Sequence, residues 1–185
     1  MQAVILAAGK GTRLLPITRY VPKPLIPFWG RPFISYLLDQ LVGLVDEVII
    51  VDDPARDLER ALGDRWGDLP LHYVTQATPR GTGDAALQAR AVVEEPFLLL
   101  LGDTCPTRAT LEELIATPGA AVLTLIEVDD PENHLSISLD GDARVVELWS
   151  DAPTVDAGVF KFDPMIFEML DGLPPRGNEL RVMQG

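Results

Sequence analysis

Three short aliphatic runs, Val4-Ile5-Leu6, Val48-Ile49-Ile50-Val51 and Phe97-Leu98-Leu99-Leu100-Leu101, constrain the fold more than any other feature of this chain. No polar residue alternates within them, so each predicts a strand covered on both faces. The first is expected to extend over residues 2–7. Between the runs the apolar residues change period. Phe33, Ile34, Leu37, Leu38, Leu41, Val42 and Val45 recur at steps of three and four, predicting a helix that opens at Gly30-Arg31-Pro32 with the proline in its first turn. Residues 57–62 read as a second helix and residues 71–74 as a further strand. Thr107 caps a helix that runs to residue 116, and residues 120–128 form a strand. Residues 135–139 and 145–149 alternate across Asp140-Gly141-Asp142, a hairpin pattern. A strand over residues 155–162, with Lys161 on its exposed side, and a helix over residues 163–170 follow. Strands alternating with helices imply an α/β fold: a single three-layer sandwich with a mostly parallel central sheet, whose ligands bind at the carboxyl ends of its strands.

The 185 residues suffice for one domain, 1–185, with a core that needs neither disulfide nor metal. No run of about 18 apolar residues is present, so no membrane span is expected. The first strand begins at once, without the charged and apolar regions of a signal peptide. Cys105 is the only cysteine, which excludes an intrachain disulfide, and these features together predict a cytoplasmic protein. A net charge of −13 argues against nucleic acid as a partner. Its distribution says more. Residues 1–38 hold Lys10, Arg13, Arg19, Lys23 and Arg31 and no carboxylate, a local charge of +5 suited to a small polyanion.

Those cations sit within a glycine-rich segment, Leu6-Ala7-Ala8-Gly9-Lys10-Gly11-Thr12-Arg13-Leu14. Glycine tolerates positive φ and close approach of a ligand, so successive N–H groups around Gly9 and Gly11 can turn towards one anion. Thr12 adds a hydroxyl, Arg13 a planar fork for phosphate oxygens and Lys23 a compact charge. A dinucleotide fingerprint is excluded, because Leu14 replaces its third glycine and the first carboxylate is Asp39, within a helix. A Walker loop is excluded as well, since no Gly-Lys-Ser/Thr occurs. Asp103 follows the most apolar run at the ligand-binding edge of the sheet, where a carboxylate calls for a cation. Magnesium suits that position if phosphates share it. In Gln76-Ala77-Thr78-Pro79-Arg80-Gly81-Thr82-Gly83-Asp84, Thr82 is placed to cap a helix and Asp84 to meet its dipole. The Gln76 amide can donate and accept at the edge of a nucleobase.

The segment from Leu6 to Thr18, followed by Pro22-Lys23-Pro24-Leu25, closely resembles the signature of the sugar-1-phosphate nucleotidyltransferases, Leu-Ala-Ala/Gly-Gly-x-Gly-Thr-Arg-Leu-x-Pro-x-Thr then Pro-Lys-Pro-Leu. The resemblance covers residues 2–180 and implies a Rossmann-like fold of the nucleotide-diphospho-sugar transferase type. It implies an enzyme joining a nucleoside triphosphate and a sugar 1-phosphate into an NDP-sugar and pyrophosphate, with Mg²⁺ as cofactor. Nucleotide contacts are then expected from Leu6, Ala8, Gly9, Gly11, Thr12, Arg13, Gln76, Gly81 and Thr82, and catalytic roles from Arg13, Lys23 and Asp103. Asp103 is the implied Mg²⁺ ligand. Val155-Asp156-Ala157-Gly158-Val159-Phe160-Lys161-Phe162 is similar to the family's Asn-Ala-Gly strand, which assigns Asp156 and Gly158 to the sugar. Ala8 in the second small position is commoner in uridylyl- and cytidylyl-transferring relatives, pointing to UTP or CTP. A homo-oligomer is compatible with all of this.

Two departures lie in the second half. The family's Glu-Lys-Pro, whose Lys meets the sugar-linked phosphate, is replaced by Trp149-Ser150-Asp151-Ala152-Pro153, with Arg144, Arg176 or Arg181 as substitutes. The second metal Asp is missing: Gly177-Asn178-Glu179-Leu180 is followed by Arg181, and no Asp occurs after Asp171. The C-terminal part is short relative to the family. An eroded nucleotide-binding regulatory subunit, or transfer to a polyol or alcohol phosphate, is the alternative reading.

Overall fold

Ala3, Ile5 and Ala7 leave the first strand on one side, Val4, Leu6 and Ala8 on the other, and the two sets belong to separate buried clusters. A strand buried on both faces requires helices above and below it. The computed structural model, which describes residues 1–131, 135–175, 177 and 179–183, supplies both layers.

In chain order, strand β1 (Gln2–Leu6) leads through three single 3₁₀ turns to a short ribbon, β2 (Pro27–Phe28) and β3 (Arg31–Pro32). Helix α1 (Phe33–Leu41), β4 (Glu47–Asp52), α2 (Asp57–Leu62), β5 (Arg65–Trp66) and β6 (Leu69–Thr75) follow. Then come α3 (Thr82–Leu87), β7 (Phe97–Leu101), α4 (Arg108–Ala116), β8 (Ala121–Glu127), the hairpin β9 (Ile137–Leu139) and β10 (Val145–Leu148), β11 (Thr154–Phe162) and α5 (Ile166–Asp171). The main sheet has the order β5-β6-β4-β1-β7-β11-β8. Strands β6, β4, β1 and β7 run parallel, whereas β5 and β11 join the block antiparallel.

The two helical layers divide as the β1 alternation requires. Ile34, Leu37, Leu38 and Leu41 of α1, Leu58 of α2, and Leu111 and Leu114 of α4 cover one face. Ala85 and Ala86 of α3, with Phe167 and Leu170 of α5, cover the other. There Phe97 stacks on Phe167 with centroids 5.3 Å apart. The expected three-layer α/β sandwich with a mostly parallel sheet is therefore present.

The strand order also locates the site. From β1 the chain moves outward through β4 and β6, then returns to place β7 on the other side of β1. Successive crossovers leave in opposite directions at this point, so a crevice opens beyond the carboxyl ends of β1 and β7. Leu6 lies level with Leu101 there. The Gly-rich segment and Gly102-Asp103 emerge side by side.

Several boundaries differ from the sequence expectation. Helix α1 starts at Phe33, with Pro32 in the preceding ribbon, and ends at Leu41. Val45 is buried from the following turn instead, so its periodicity came from packing rather than from helix. Helix α5 starts at Ile166, after a turn over residues 163–165. Lys161 is corrected: it is 7% exposed, not a surface residue. Its ammonium donates to the carbonyls of Ile115 and Thr117, two of the orphan acceptors at the end of α4. Asp52 plays the opposite part for α2, accepting from the N–H groups of Leu58 (3.1 Å) and Glu59 (3.4 Å). Thr107 caps α4 as expected, accepting from Thr110 N at 3.2 Å.

Replacing Lys161 by Met keeps the apolar stem but leaves both carbonyls unserved. Loss of a charge-assisted contact at a buried position should lower stability by about 2 kcal/mol in urea unfolding. An unchanged midpoint would show that these bonds do not hold α4.

Candidate active site

The loop after β1 is held in shape before any ligand arrives. Ala7 N donates to Val51 O at 2.9 Å and Ala8 stays buried, so the backbone leaves the sheet only at Gly9. Gly11 has φ +59°, and a Cβ on it would lie 2.8 Å from Thr18 Cγ2. Thr18 in turn donates its hydroxyl to Gly11 O at 2.9 Å. Thr18 was legible only as a letter of the motif; the structure makes it the clamp of the loop. Thr12–Leu14 and Lys23–Leu25 form 3₁₀ turns on either side. Lys10, Arg13 and Arg19 meet no carboxylate among the described residues.

Across the crevice, Gly102 N donates to Leu6 O at 2.9 Å, and a Cβ on Gly102 would stand 3.0 Å from that oxygen. This close approach sets Asp103 beside the Gly loop. Lys23 donates to the Asp103 carboxylate, which is 39% exposed. Two residues assigned separately from sequence thus form one ion pair, 80 positions apart in the chain. Among the described residues no cluster of three or more His, Cys, Asp or Glu could hold a metal. A hard carboxylate oxygen open to the crevice suits Mg²⁺, which takes one or two protein ligands when phosphates supply the rest. Cys105 is free and exposed nearby.

Gln76 is 3% exposed, at the carboxyl end of β6. Its Nε2 donates to Gly81 O at 3.2 Å and to Asp84 Oδ2 at 2.7 Å. Both amide protons are therefore committed, and Oε1 is left as the free atom. The presence of two acceptors on one side fixes the amide orientation. Asp84 sits in the first turn of α3 as expected, with this added task of aligning Gln76.

Thr82 does not cap α3. It is the first helical residue, preceded by Gly81 at φ +99°, and its hydroxyl accepts from Val182 N at 3.1 Å. The reason is a strap formed by the C-terminal segment: Leu180 N donates to Arg80 O at 2.7 Å and Gly83 N to Leu180 O at 2.8 Å. A Cβ on Gly81 would lie 2.2 Å from Leu180 O, so only glycine permits the strap to seat. The sequence carries no periodic signal for this contact.

Beyond β7 a cavity of about 130 Å³ is lined by Asp156, Trp149, Phe160, Leu135, Arg181 and Met183, among others. Gly158 has φ +72°, and a Cβ there would lie 2.7 Å from Leu101 Cδ1. The pairing of β11 with β8 shifts register between Asp156 and Phe160, a bulge that this glycine permits. Asp156 Oδ1 accepts from Gly158 N at 2.6 Å. Burial pushes the Asp156 carboxyl above its ordinary range, and the Gly158 bond opposes this only in part. Of the three candidate arginines, Arg181 lines the cavity and bonds Glu179 at 2.9 Å. Arg144 lies next to the turn of the β9–β10 hairpin, and Arg176 lies outside the described residues, as does Asn178.

Residues 2–176 match the family described as nucleotidyl transferase. The chain belongs to that family. Within it, a bifunctional protein GlmU of Methanocaldococcus jannaschii is 32% identical over 92% of this chain but 42% of its own length. The chain thus spans less than half of that relative. A glucose-1-phosphate thymidylyltransferase of Streptomyces antibioticus is 34% identical over 95% of the chain and 53% of its own length. The UTP–glucose-1-phosphate uridylyltransferase AglF of Haloferax volcanii is 32% identical over 90% of the chain and 74% of its own length. Among solved structures, a UDP-glucose pyrophosphorylase complexed with UDP-glucose shares the fold, with a TM-score of 0.84 at 21% identity over 98% of this chain and 83% of that one. The expected family and architecture of this nucleotidyl transferase are both present. No helix among its described residues is long and apolar enough to cross a membrane.

The raised carboxyl of Asp156 gives a signed prediction. A group whose folded pKa lies above its unfolded value costs stability as pH rises through that interval. Asp156→Asn keeps an acceptor for Gly158 N and removes the charge. The variant's stability relative to the parent should therefore increase from about pH 4 towards neutrality. Thermal melts across that range that show a constant difference would contradict the burial of this carboxylate.

Proposed function

We propose that this nucleotidyl transferase domain moves a uridylyl group from UTP to a sugar 1-phosphate in the cytoplasm, releasing pyrophosphate. The observation that carries the reading is the convergence at the β1/β7 crevice. A preset Gly loop, uncommitted Arg13 and the Lys23–Asp103 pair meet where the strand order reverses.

In this reading the N–H groups around Gly9 and Gly11, with Thr12, cradle the triphosphate, and Leu6 and Ala8 form its floor. An oxygen of the acceptor phosphate attacks the α-phosphorus in line. That bond forms as the bond from the α-phosphorus to the bridging oxygen breaks, and pyrophosphate leaves with the electron pair. Arg13 neutralises the departing pyrophosphate, and Lys23 steadies the α-phosphate against the incoming one. Catalysis is by positioning and charge neutralisation, with no covalent intermediate. Asp103 would hold Mg²⁺, which when bound screens the repulsion between phosphate oxygens.

Gln76 bears on the base. With both amide protons held by Gly81 and Asp84, Oε1 can only accept. Uracil offers it N3–H and cytosine its N4 amino group, so both members of the pair that Ala8 suggests, UTP and CTP, satisfy it. UTP is chosen from that pair because a relative of this chain, AglF of Haloferax volcanii, is a UTP–glucose-1-phosphate uridylyltransferase. Gly81 faces the same base, and Asp156 and Gly158 face the acceptor.

Pyrophosphate release should be measured with UTP, CTP, dTTP, GTP and ATP, Mg²⁺ and a set of sugar 1-phosphates. UTP is expected to lead, and a preference for CTP would refute the choice of UTP. Arg13→Ala and Asp103→Asn should each lower kcat/KM by roughly 10²-fold, the usual cost of removing one transition-state charge contact. Turnover surviving both within a few-fold would remove these residues from the mechanism. A nucleotide that raises the melting temperature with no release for any acceptor would make the domain a binding subunit.

A further inference from the structure

The cavity beyond β7 contains a charge that a neutral sugar does not need. Asp156 Oδ1 is satisfied by Gly158 N, but Oδ2 accepts from no described residue, and among the described residues no cation is paired with this carboxylate. The other charged lining residue, Arg181, is bonded to Glu179 through Nε and Nη2. An amide at position 156 could accept from Gly158 N and still bond a hydroxyl, without the cost of a partly buried charge. The sugar-1-phosphate nucleotidyltransferase pattern carries an amide there. Two aromatic residues, Trp149 and Phe160, line the same cavity. A carboxylate beside aromatic rings is the environment in which an ammonium group is held, by Coulomb attraction and by the ring quadrupole.

We propose that Asp156 selects an acceptor phosphate bearing a cationic amine, held between its carboxylate and the rings of Trp149 and Phe160. This deepens the transferase reading and rests on it. Loss of solvent around Asp156 is then offset on binding, because the ligand brings a positive charge to this carboxylate. Two sources share this chemistry: a hexosamine 1-phosphate with a free amine, and an amino-alcohol phosphate.

The test uses the full chain with UTP and Mg²⁺ and compares glucosamine 1-phosphate, glucose 1-phosphate, N-acetylglucosamine 1-phosphate and phosphocholine as acceptors. One of the two cationic acceptors should exceed glucose 1-phosphate in kcat/KM by about tenfold or more, the worth of one cation contact in a desolvated site. Which of the two leads names the source. Asp156→Asn should bring the ratio to within about threefold. Glucose 1-phosphate or the N-acetyl form equalling both amines would overturn the proposal while leaving the transferase reading intact. If no acceptor releases pyrophosphate, calorimetric titration of the UTP-saturated protein with glucosamine 1-phosphate, phosphocholine and glucose 1-phosphate decides instead. Tighter binding of an amine, weakened by Asp156→Asn, supports the proposal, and equal or absent binding overturns it.

Discussion

Strand β1 has neither a free face nor a free edge, and the rest of the fold depends on that. It pairs with β4 on one side and β7 on the other, and its residues alternate between two buried clusters. A strand enclosed in this way can expose only its ends. The chain that leaves its carboxyl end must turn sharply into a crevice already framed by β7. Functional groups gather there because the reversal of strand order leaves backbone ends uncovered, not because any side chain drives the chain to that place.

Charge then divides the crevice into unlike regions. Near the Gly loop, cations exceed carboxylates among the described residues, and the carboxylate drawn in, Asp103, is bonded to Lys23. Around Gln76 the polar groups are closed on one another, leaving one directional acceptor. Beyond β7 the balance reverses, with Asp156 carrying charge that nothing described neutralises. The crevice thus offers positive charge at one end, a fixed amide acceptor in the middle and a carboxylate at the other end.

The C-terminal strap ties these regions together. Leu180 bridges Arg80 and Gly83, Val182 bonds Thr82, and the adjoining Arg181 and Met183 line the cavity beyond β7. The start of α3 and that cavity are therefore coupled to one short stretch of chain. Substitution at Gly81 or Gly83 would unseat it, since each Cβ would meet Leu180 or Arg181 within 3 Å or so.

Much of this was legible before the fold was known. Aliphatic runs without alternation specify strands buried on both faces, and a 3.6-residue period specifies the helices between them, because burial demands those patterns locally. The Gly-rich segment, Lys23, Gln76 and Asp103 stand out in the sequence because phosphate and base chemistry needs such groups at such spacings, and the fold brings Lys23 and Asp103 together. What the tertiary structure alone decided depends on chain segments that are remote in sequence. Lys161 reads as a surface residue until the end of α4 supplies its carbonyls, and Thr82 reads as a cap until Val182 supplies a donor. Lys23 and Asp103 become a pair only when distant segments meet, whereas Gln76 commits both amide protons to Gly81 and Asp84, neighbours that the turn into α3 folds back onto it. The sequence determined where each element and motif lies, through local periodicity and residue chemistry. Protonation, pairing and orientation of the site groups were decided by long-range packing, which no local pattern encodes.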